Sequence, residues 1–178
     1  VGTCFAILAK RAGAFIIGSA GTGEKVDYML NQTGFDAAFN YRTKDARAEL
    51  VAAAPGGLDV YFDLVSGETL DIALEQLKMN GQVLVVGNVS TTNAKTPYLT
   101  KNLGMIITKA LKLEGFNGFQ HIHRFPQMWK ELGPLVASGE IKRQKETVIK
   151  NLENAPQVYV DYMNGKYVGK IIIDVAEI

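Results

Sequence analysis

The chain has 178 residues, 47% of them hydrophobic, which is enough apolar material for one domain with its own core. Its formal net charge of +1 excludes the broad basic field of nucleic-acid-binding proteins, and it contains no apolar run of the roughly 18 residues that predict a membrane span. A single cysteine, Cys4, excludes an intramolecular disulfide and favours a reducing, cytoplasmic location.

The apolar pattern alternates between helical and strand-like periods from the first residues onward. Thr22 is the expected N-cap of the second helix, and Gly13 and Gly34 stand where helices should stop. The elements predicted in the first part of the chain are helices at 3–12, 22–33 and 45–54 and strands at 14–19, 37–41 and 58–65.

The alternation continues to the end of the chain. Asn80-Gly81 is predicted to break it before a nearly all-apolar strand, and Pro134 is predicted to kink or split a helix. Phe62, Phe125 and Trp129 are core candidates. The predicted elements are helices at 67–78, 102–109, 125–138 and from about 155, and strands at 82–87, 111–119, 146–149 and 169–175.

Strand–helix alternation with short connections predicts a Rossmann-like, doubly wound parallel sheet. Such a unit normally begins with a strand and a glycine-rich turn, but here the first predicted element is a helix preceded by Val1 and Gly2. We therefore expect the first strand to lie upstream, with its absence leaving a gap flanked by unpaired backbone. Gly2 is either the last glycine of that turn or part of a frayed terminus.

The end of the second expected strand indicates which cofactor such a fold would bind. NAD-specific folds place an acidic residue there, but this chain has Gly18-Ser19-Ala20-Gly21. Ser19, Lys25 and Arg42, with the amides that begin the next helix, would favour a 2′-phosphate. The pattern favours NADP over NAD, unless Lys25 and Arg42 are ordinary solvated charges.

Six blocks follow one another along the chain, namely GSAGTGEKVDYM, TGFDAAFNYRT, GLDVYFDLVSGETLD, NGQVLVVGNVST, LKLEGFNGF and GKYVGKIIID. Together they resemble the carboxy-terminal part of the zinc-independent medium-chain dehydrogenase/reductases. The most similar group is the branch of prostaglandin reductases, leukotriene hydroxydehydrogenases and alkenal reductases. The resemblance covers essentially the whole chain.

The resemblance implies that residues 1–178 are an NADP(H)-binding domain fragment of an enzyme that transfers hydride to the activated C=C bond of an enone or alkenal, or to a quinone. It also implies a homodimer paired through the strand LKLEGFNGF, and an amino-terminal GroES-like catalytic domain outside this sequence, without which we expect no activity. The cofactor-binding residues that it implies, beside Gly18, Ser19 and Arg42 above, are Gly2, Lys25, Tyr41, Gly87, Asn88, Val89, Ser90, Phe116, Asn117 and Gly118.

Three positions depart from the family pattern. Leu64 stands where the family commonly has Asn, Thr92 where the prostaglandin-reducing group often has Tyr, and Tyr167 where a cofactor-contacting Asn is usual. These departures are compatible with cofactor binding and leave the substrate class open. A non-catalytic module that senses NADP(H) or serves in dimerisation is the alternative function.

No catalytic residue is assigned from the sequence. Thr91, Thr92 and Tyr98 are candidates for substrate contact, although a threonine-rich loop is often only a loop. Asp63 ends a strand and is expected to bind local backbone. The only two histidines, His121 and His123, lack a nearby carboxylate pair, so no metal site is predicted.

Overall fold

The computed structural model describes residues 1–92, 94–142 and 144–175. The helices within these ranges are too short or too polar to cross a bilayer. The strands of the described residues are β1 Ile17–Ala20, β2 Ala37–Asn40, β3 Leu58–Asp63, β4 Leu77–Val85, β5 Lys112–Gly115, β6 Glu146–Lys150 and β7 Lys170–Asp174.

Helices lie between the strands, as the sequence pattern predicts. The second helix begins where expected, because Thr22 Oγ1 accepts the Lys25 N–H at 3.3 Å. Gly13 and Gly34 follow helices with φ of 88° and 76°, a conformation that glycine adopts without strain. The helices are α1 Gly2–Arg11, α2 Gly23–Gln32, α3 Ala46–Ala53, α4 Glu68–Gln76, α5 Gly104–Thr108, α6 Phe125–Ala137 and α7 Ala155–Met163.

The strand pairs of the described residues are all parallel, which confirms the Rossmann-like α/β fold class. They form three hydrogen-bonded sheets rather than a single one: β1 pairs with β2, β3–β4–β5 follow one another in that order, and β6 pairs with β7. The carboxyl ends of β1 and β2 and those of β4 and β5 therefore carry the loops that hold the predicted site residues.

A cleft of about 400 Å³ separates β1 from β3. Ile17 and Ser19 line one side of it, and Val60 and Phe62 line the other. Within the described ranges β1 has β2 as its only strand partner, and β3 has only β4. The gap expected in the sheet is therefore present, bordered by two strand edges that no third strand covers.

The strand β4 begins at Leu77, earlier than predicted, and Asn80-Gly81 interrupts its pairing with β3 without ending the strand. Leu77 already pairs with Leu58, and the register then shifts before Gln82. Asn80 has φ of 60°, so the irregularity is absorbed as a bulge inside the strand. The Asn80 N–H donates to Lys109 O at 2.8 Å, at the end of α5 and outside the ladder.

Two other predicted strands are shorter in the structure. The predicted strand at 14–19 pairs only from Ile17, because Asp36 Oδ2 accepts the Ile16 N–H at 2.8 Å just before it. The predicted strand at 111–119 ends at Gly115, because Asn117 Oδ1 accepts the Phe119 N–H at 3.1 Å and starts a 3₁₀-helix, Gly118–Arg124. In both cases a side chain takes a backbone donor that a longer ladder would use.

The hydrophobic core of the three-stranded sheet lies between β4 and α4. Leu74, Leu77, Val83 and Leu111 form its buried cluster, and Leu74 is 0% exposed. Leu70 of α4 packs against this cluster. Burying one such side chain contributes roughly 1.5–3 kcal/mol.

The helix α6 is less buried than the sequence predicts. Trp129 is 65% exposed and Phe125 is 46% exposed, so their assignment to the core is wrong. The physical reason is that the chief packing neighbour of α6 is the 3₁₀-helix Gly118–Arg124. Pro134 neither splits nor ends α6, which runs through it from Phe125 to Ala137.

Several side chains on the helices are exposed. Cys4 is exposed on α1. Tyr159 and Tyr162 are 64% and 59% exposed on α7. By contrast Phe62 does pack, with its ring centroid 3.9 Å from that of Phe5.

Candidate functional site

Apart from Gly2 and Gly18, the residues predicted to bind the cofactor fall into three groups near the carboxyl ends of the strands. The first group lies at or just beyond the carboxyl ends of β1 and β2. We call it the basic corner, and it consists of Ser19, Lys25, Tyr41 and Arg42. Gly87–Ser90 after β4 form the central loop, and Phe116–Gly118 after β5 form the distal loop. In an open parallel sheet, this edge is where ligands bind.

Gly21 organises the basic corner by allowing side chains to lie on the backbone after β1. A Cβ atom at Gly21 would lie 3.0 Å from Tyr41 Oη and 3.0 Å from Arg42 Nε. The Tyr41 N–H donates to Ala20 O at 3.1 Å, which holds the ends of β1 and β2 side by side. The structure thus brings Tyr41 and Arg42 to the end of β1, where the sequence has no carboxylate.

The side chain of Lys25 bonds to a segment that is distant in the sequence. Its Nζ donates to Gly165 O in the turn between α7 and β7. This turn belongs to the late block in which Tyr167 replaces the usual Asn. Tyr167 Oη itself donates to Asp161 Oδ2 at 3.3 Å. A lysine ammonium has three donors, so Lys25 can keep Gly165 and still bind an anion.

Gly18 and Ser19 differ although they are neighbours. A Cβ atom at Gly18 would lie 2.5 Å from Phe35 Cε1 and 3.0 Å from Met29 Sδ, so the structure explains this glycine by close packing under α2. The Ser19 side chain is exposed, so close packing does not explain why serine stands there. Ser19 therefore remains the better candidate for contact with a ligand.

The central loop is held against the end of β3 by a buried acid. Asp63 is 0% exposed, and its Oδ1 accepts the N–H groups of Val65 at 2.9 Å and Ser66 at 2.7 Å. The expectation that Asp63 binds local backbone is confirmed. Ser66 Oγ lies 3.1 Å from Asp63 Oδ2 and 3.1 Å from Gly87 O, which links the acid to the loop.

Tyr61 completes this network from the neighbouring position on β3. Its hydroxyl donates to Asp63 Oδ1 at 3.3 Å. Burial of the phenol, together with the nearby Asp63 carboxylate, raises the pKa of Tyr61. Tyr61 therefore stays protonated at physiological pH and acts as a donor.

Gly2 and Gly87 both lie against Leu64. A Cβ atom at Gly2 would lie 3.3 Å from Leu64 Cδ1, and one at Gly87 would lie 2.8 Å from Leu64 O. Gly2 at the start of α1 and Gly87 in the central loop are thus both neighbours of Leu64. The close approach to Leu64 O also explains why position 87 is glycine, since a larger residue would displace backbone.

The three candidates for substrate contact are less free than a loop suggests. Tyr98 Oη donates to the buried Asp71 Oδ2 at 2.9 Å, so its hydroxyl is engaged within the domain. That bond raises the pKa of Tyr98. Thr91 Oγ1 donates to Asn88 O at 3.0 Å. Thr92 remains an exposed candidate.

The distal loop is ordered by its own side chains. The Phe116 N–H donates to Val85 O at 2.8 Å, which extends the pairing of β5 with β4 by one residue. The Phe116 ring stacks on His121 with centroids 4.9 Å apart and an interplanar angle of 5°. Within the described ranges no three His, Cys, Asp or Glu side chains are grouped as a metal site requires.

Sequence reasoning missed Asp71. It stands in the apolar helix pattern LDIAL, where an acid is out of place unless it is exposed or has partners. That misplacement was the available signal. Its partners Tyr98, Lys101 and Asn102 are 27 to 31 residues away, so no local pattern could identify them.

The chain is similar to known proteins along its whole length. A family model described as zinc-binding dehydrogenase matches residues 1–134. A 2-alkenal reductase (NADP(+)-dependent) of Nicotiana tabacum is 36% identical over 99% of this chain and 51% of its own. A zinc-type alcohol dehydrogenase-like protein of Schizosaccharomyces pombe is 36% identical over 99% of this chain and 50% of its own.

A solved structure agrees with the fold. CurA from Vibrio vulnificus, crystallised in complex with NADPH, superposes with a TM-score of 0.91 at 26% identity, over 100% of this chain and 54% of its own. The chain therefore spans about half the length of the curated relatives it matches, at 50% and 51%.

Proposed function

The chain belongs to the zinc-binding dehydrogenase family, within its zinc-independent medium-chain branch, and on that premise we propose that residues 1–178 form the NADP(H)-binding Rossmann domain of a reductase. The reductase transfers hydride to the activated C=C bond of an enone or alkenal, or to a quinone. The similar tobacco protein is an NADP(+)-dependent 2-alkenal reductase, and the similar CurA was crystallised with NADPH.

The basic corner is the observation that carries this proposal. A 2′-phosphate needs cations and N–H donors, and Arg42, Lys25 and the capped start of α2 lie near the end of β1. An acid that would bind a 2′-hydroxyl and repel a phosphate is missing from the Gly18–Gly21 segment. These residues fit NADP(H) better than NAD(H).

The test of cofactor type is calorimetric titration of the chain with NADPH and with NADH. We expect NADPH to bind more tightly, because only it presents the 2′-phosphate to the basic corner. A preference for NADH would overturn the assignment of Lys25 and Arg42. Equal affinities would contradict it too, because the corner would then contribute nothing.

The remaining groups would hold the rest of the cofactor. The central loop and Gly2 would lie along the pyrophosphate and ribose of the cofactor. The distal loop would hold the carboxamide through backbone groups of Phe116, Asn117 and Gly118. The cofactor supplies the hydride when bound, and the chain supplies binding and orientation.

We propose that these residues alone do not turn over substrate, since a substrate cleft needs a second wall over the nicotinamide. The relatives are about twice as long, which is consistent with a further domain. NADPH oxidation with a 2-alkenal is the assay. Turnover of about 1–1000 per second by residues 1–178 would contradict this proposal.

We also propose a cytoplasmic location, which the single exposed thiol, Cys4, supports.

The cleft between β1 and β3 supports a further proposal about this domain, namely that it receives another parallel strand leading into Gly2. Both of its walls are strand edges, and apolar side chains such as Ile17, Val60 and Phe62 line it. Hydrogen exchange should be slower at the β1 and β3 edge amides in a chain extended upstream. Unchanged exchange at those amides would contradict a strand in the cleft.

Homodimerisation through β5 is proposed on similar grounds. Among the described residues β5 has one strand partner, β4, and its residues Lys112–Gly115 are all exposed. Leu113, 37% exposed, would become buried if two copies paired edge to edge. Sedimentation of the wild type and of Leu113→Lys would test this, with a dimer expected only for the wild type.

The alternative is a non-catalytic module that senses NADP(H) or serves only in dimerisation. The same basic corner and the same β5 edge would serve such a module, so they do not separate the two functions. The natural upstream sequence does: about 100 or more residues rich in short strands would favour the enzyme, and their absence from the gene would favour the module.

A further inference from the structure

Asp71 is a buried acid that the cofactor site described above does not use. It lies on α4 and is 2% exposed. Its Oδ2 accepts the Tyr98 hydroxyl at 2.9 Å and the Lys101 N–H at 2.9 Å, and its Oδ1 accepts the Asn102 N–H at 3.0 Å. A carboxylate is costly to bury unless such bonds are made, so all three donors matter to it.

The charge of Asp71 is fixed by these donors. Burial by itself acts to raise the pKa of Asp71, but the N–H groups of Lys101 and Asn102 and the Tyr98 hydroxyl outweigh it and hold that pKa below its usual value. Asp71 is therefore an ionised acceptor at neutral pH. Asn102 adds a second link, since its Nδ2 donates to Glu75 Oε1 at 2.6 Å.

The central loop is the first part of a longer loop. Asp71 holds the far end of that longer loop. The near end has one backbone bond of its own, in which the Ser90 N–H donates to Val65 O at 3.0 Å. The two ends meet at Gly67, where α4 begins. A Cβ atom at Gly67 would lie 2.9 Å from Ser90 Oγ and 3.6 Å from Tyr98 Cβ.

Tyr98 and Ser90 thus both lie against Gly67, and the bond to Asp71 fixes the Tyr98 hydroxyl. We propose that Asp71 is a positioning residue of the cofactor site, which sets the place of Ser90 and the central loop by holding Tyr98, Lys101 and Asn102. The inference rests on the proposed function for the identity of the ligand. How Asp71 holds the loop rests on the geometry alone. The inference predicts that a change at Asp71 weakens the binding of ligand groups at the central loop more than at the basic corner.

The first experiment separates the two ends of the cofactor. The variant Asp71→Asn keeps the shape of the side chain but sets an NH₂ group against N–H donors. We expect its affinity for NADPH to fall about tenfold, the scale of one buried hydrogen bond to a charged group. Its affinity for 2′,5′-ADP, which carries the 2′-phosphate but only one phosphate of the pyrophosphate and no nicotinamide, should fall less.

The outcomes are distinct. Equal losses for NADPH and 2′,5′-ADP would mean that the variant damages the fold in general, and no loss for either would mean that Asp71 positions nothing; both results overturn the inference. Failure of the wild type to bind either probe would instead overturn the proposed function. Tyr98→Phe removes one bond only and should reproduce the NADPH effect at smaller size, should Asp71→Asn not fold.

A second experiment needs no cofactor. Hydrogen exchange of the unliganded protein should become faster at the amides of Lys101 and Asn102 in Asp71→Asn, because these amides lose their acceptor. If Asp71 positions the near end of the loop, the Ser90 amide should also exchange faster although it bonds to Val65. Faster exchange confined to Lys101 and Asn102 would overturn the inference.

Discussion

The two sheets that carry the candidate site use the same alternation of strand and helix but differ in how well they are buried. In the three-stranded sheet, Leu74 and Val83 are at most 1% exposed, and the acids Asp63 and Asp71 are buried beside them. In the two-stranded sheet, neither α2 nor α3 contains a buried residue. Phe39, at 7% exposed, is its most buried strand residue.

The two parts of the candidate site are therefore held in place in different ways. The central loop is attached to a closed core through buried polar networks, so it has one fixed position. The basic corner lies on a two-stranded sheet whose β1 edge borders the cleft, and the selectivity proposed for it would come from the charges of Arg42 and Lys25. The following predictions test this contrast, from the largest expected effect to the smallest.

Removing core volume should affect the three-stranded sheet most. Leu74→Ala should lower the free energy of unfolding by about 2–5 kcal/mol, because the side chain is fully buried and leaves a cavity. The control Leu30→Ala on α2, where the leucine is 39% exposed, should cost under about 1 kcal/mol. Urea denaturation measures both, and equal losses would remove the contrast between the sheets.

Adding one methyl group at the central loop should also destabilise the protein. In Gly87→Ala the new Cβ would lie 2.8 Å from Leu64 O, and a backbone shift should cost about 1–3 kcal/mol. Gly104→Ala on α5 meets no atom within 4 Å and should instead stabilise by about 0.4–1 kcal/mol. Thermal unfolding of the two variants should therefore shift in opposite directions.

Removing one cation from the basic corner should change binding without changing the fold. Arg42→Gln should weaken NADPH binding about tenfold, or about 1.4 kcal/mol, and leave NADH binding as it is. Lys44→Gln is the matched control, because Lys44 pairs with Glu49 at 3.0 Å and belongs to no predicted site. An equal loss for NADPH and NADH would show that Arg42 does not contact the 2′-phosphate.

The smallest expected effect is on the pH dependence of stability. The pKa of Asp71 is lowered on folding by its three donors, so its contribution is present above the unfolded value of about 3.9 and is lost as the pH falls through the folded value. Asp71→Asn should thus flatten the loss of stability below about pH 4. Asp161→Asn should flatten it less, because the pKa of Asp161 is lowered chiefly by an exposed hydrogen bond to Lys166.

The local signals in the sequence were reliable where a bond forms between near neighbours. Thr22 caps α2, and Gly13 and Gly34 end helices, because each effect involves residues within one turn. The same locality made Asp63 predictable, since its acceptors serve Val65 and Ser66. The assignments of Gly2, Ser19, Arg42 and the two loops to cofactor binding stay predictions.

Misjudged residues depend on neighbours that are distant in the chain. Asn80-Gly81 was expected to break the chain, but β4 runs through it with an irregular register, and the Asn80 N–H bonds to the distant Lys109 O. Trp129 looked like core, but α6 packs chiefly on a 3₁₀-helix and leaves it 65% exposed. Lys25 is bonded to Gly165, which is 140 residues away. Nothing in a local window carries this information.

The sequence by itself determined the elements, the parallel α/β class and the lack of an acid after β1, because propensity, capping and residue charge are local properties. Only the tertiary structure decided which acids are buried, which glycines are needed and which loop ends are joined. Asp71, Gly67 and Tyr98 illustrate this, since their meeting depends on α4 and a loop about 30 residues later lying side by side. Burial turns that encounter into a fixed position, because a charged group removed from water must keep its donors.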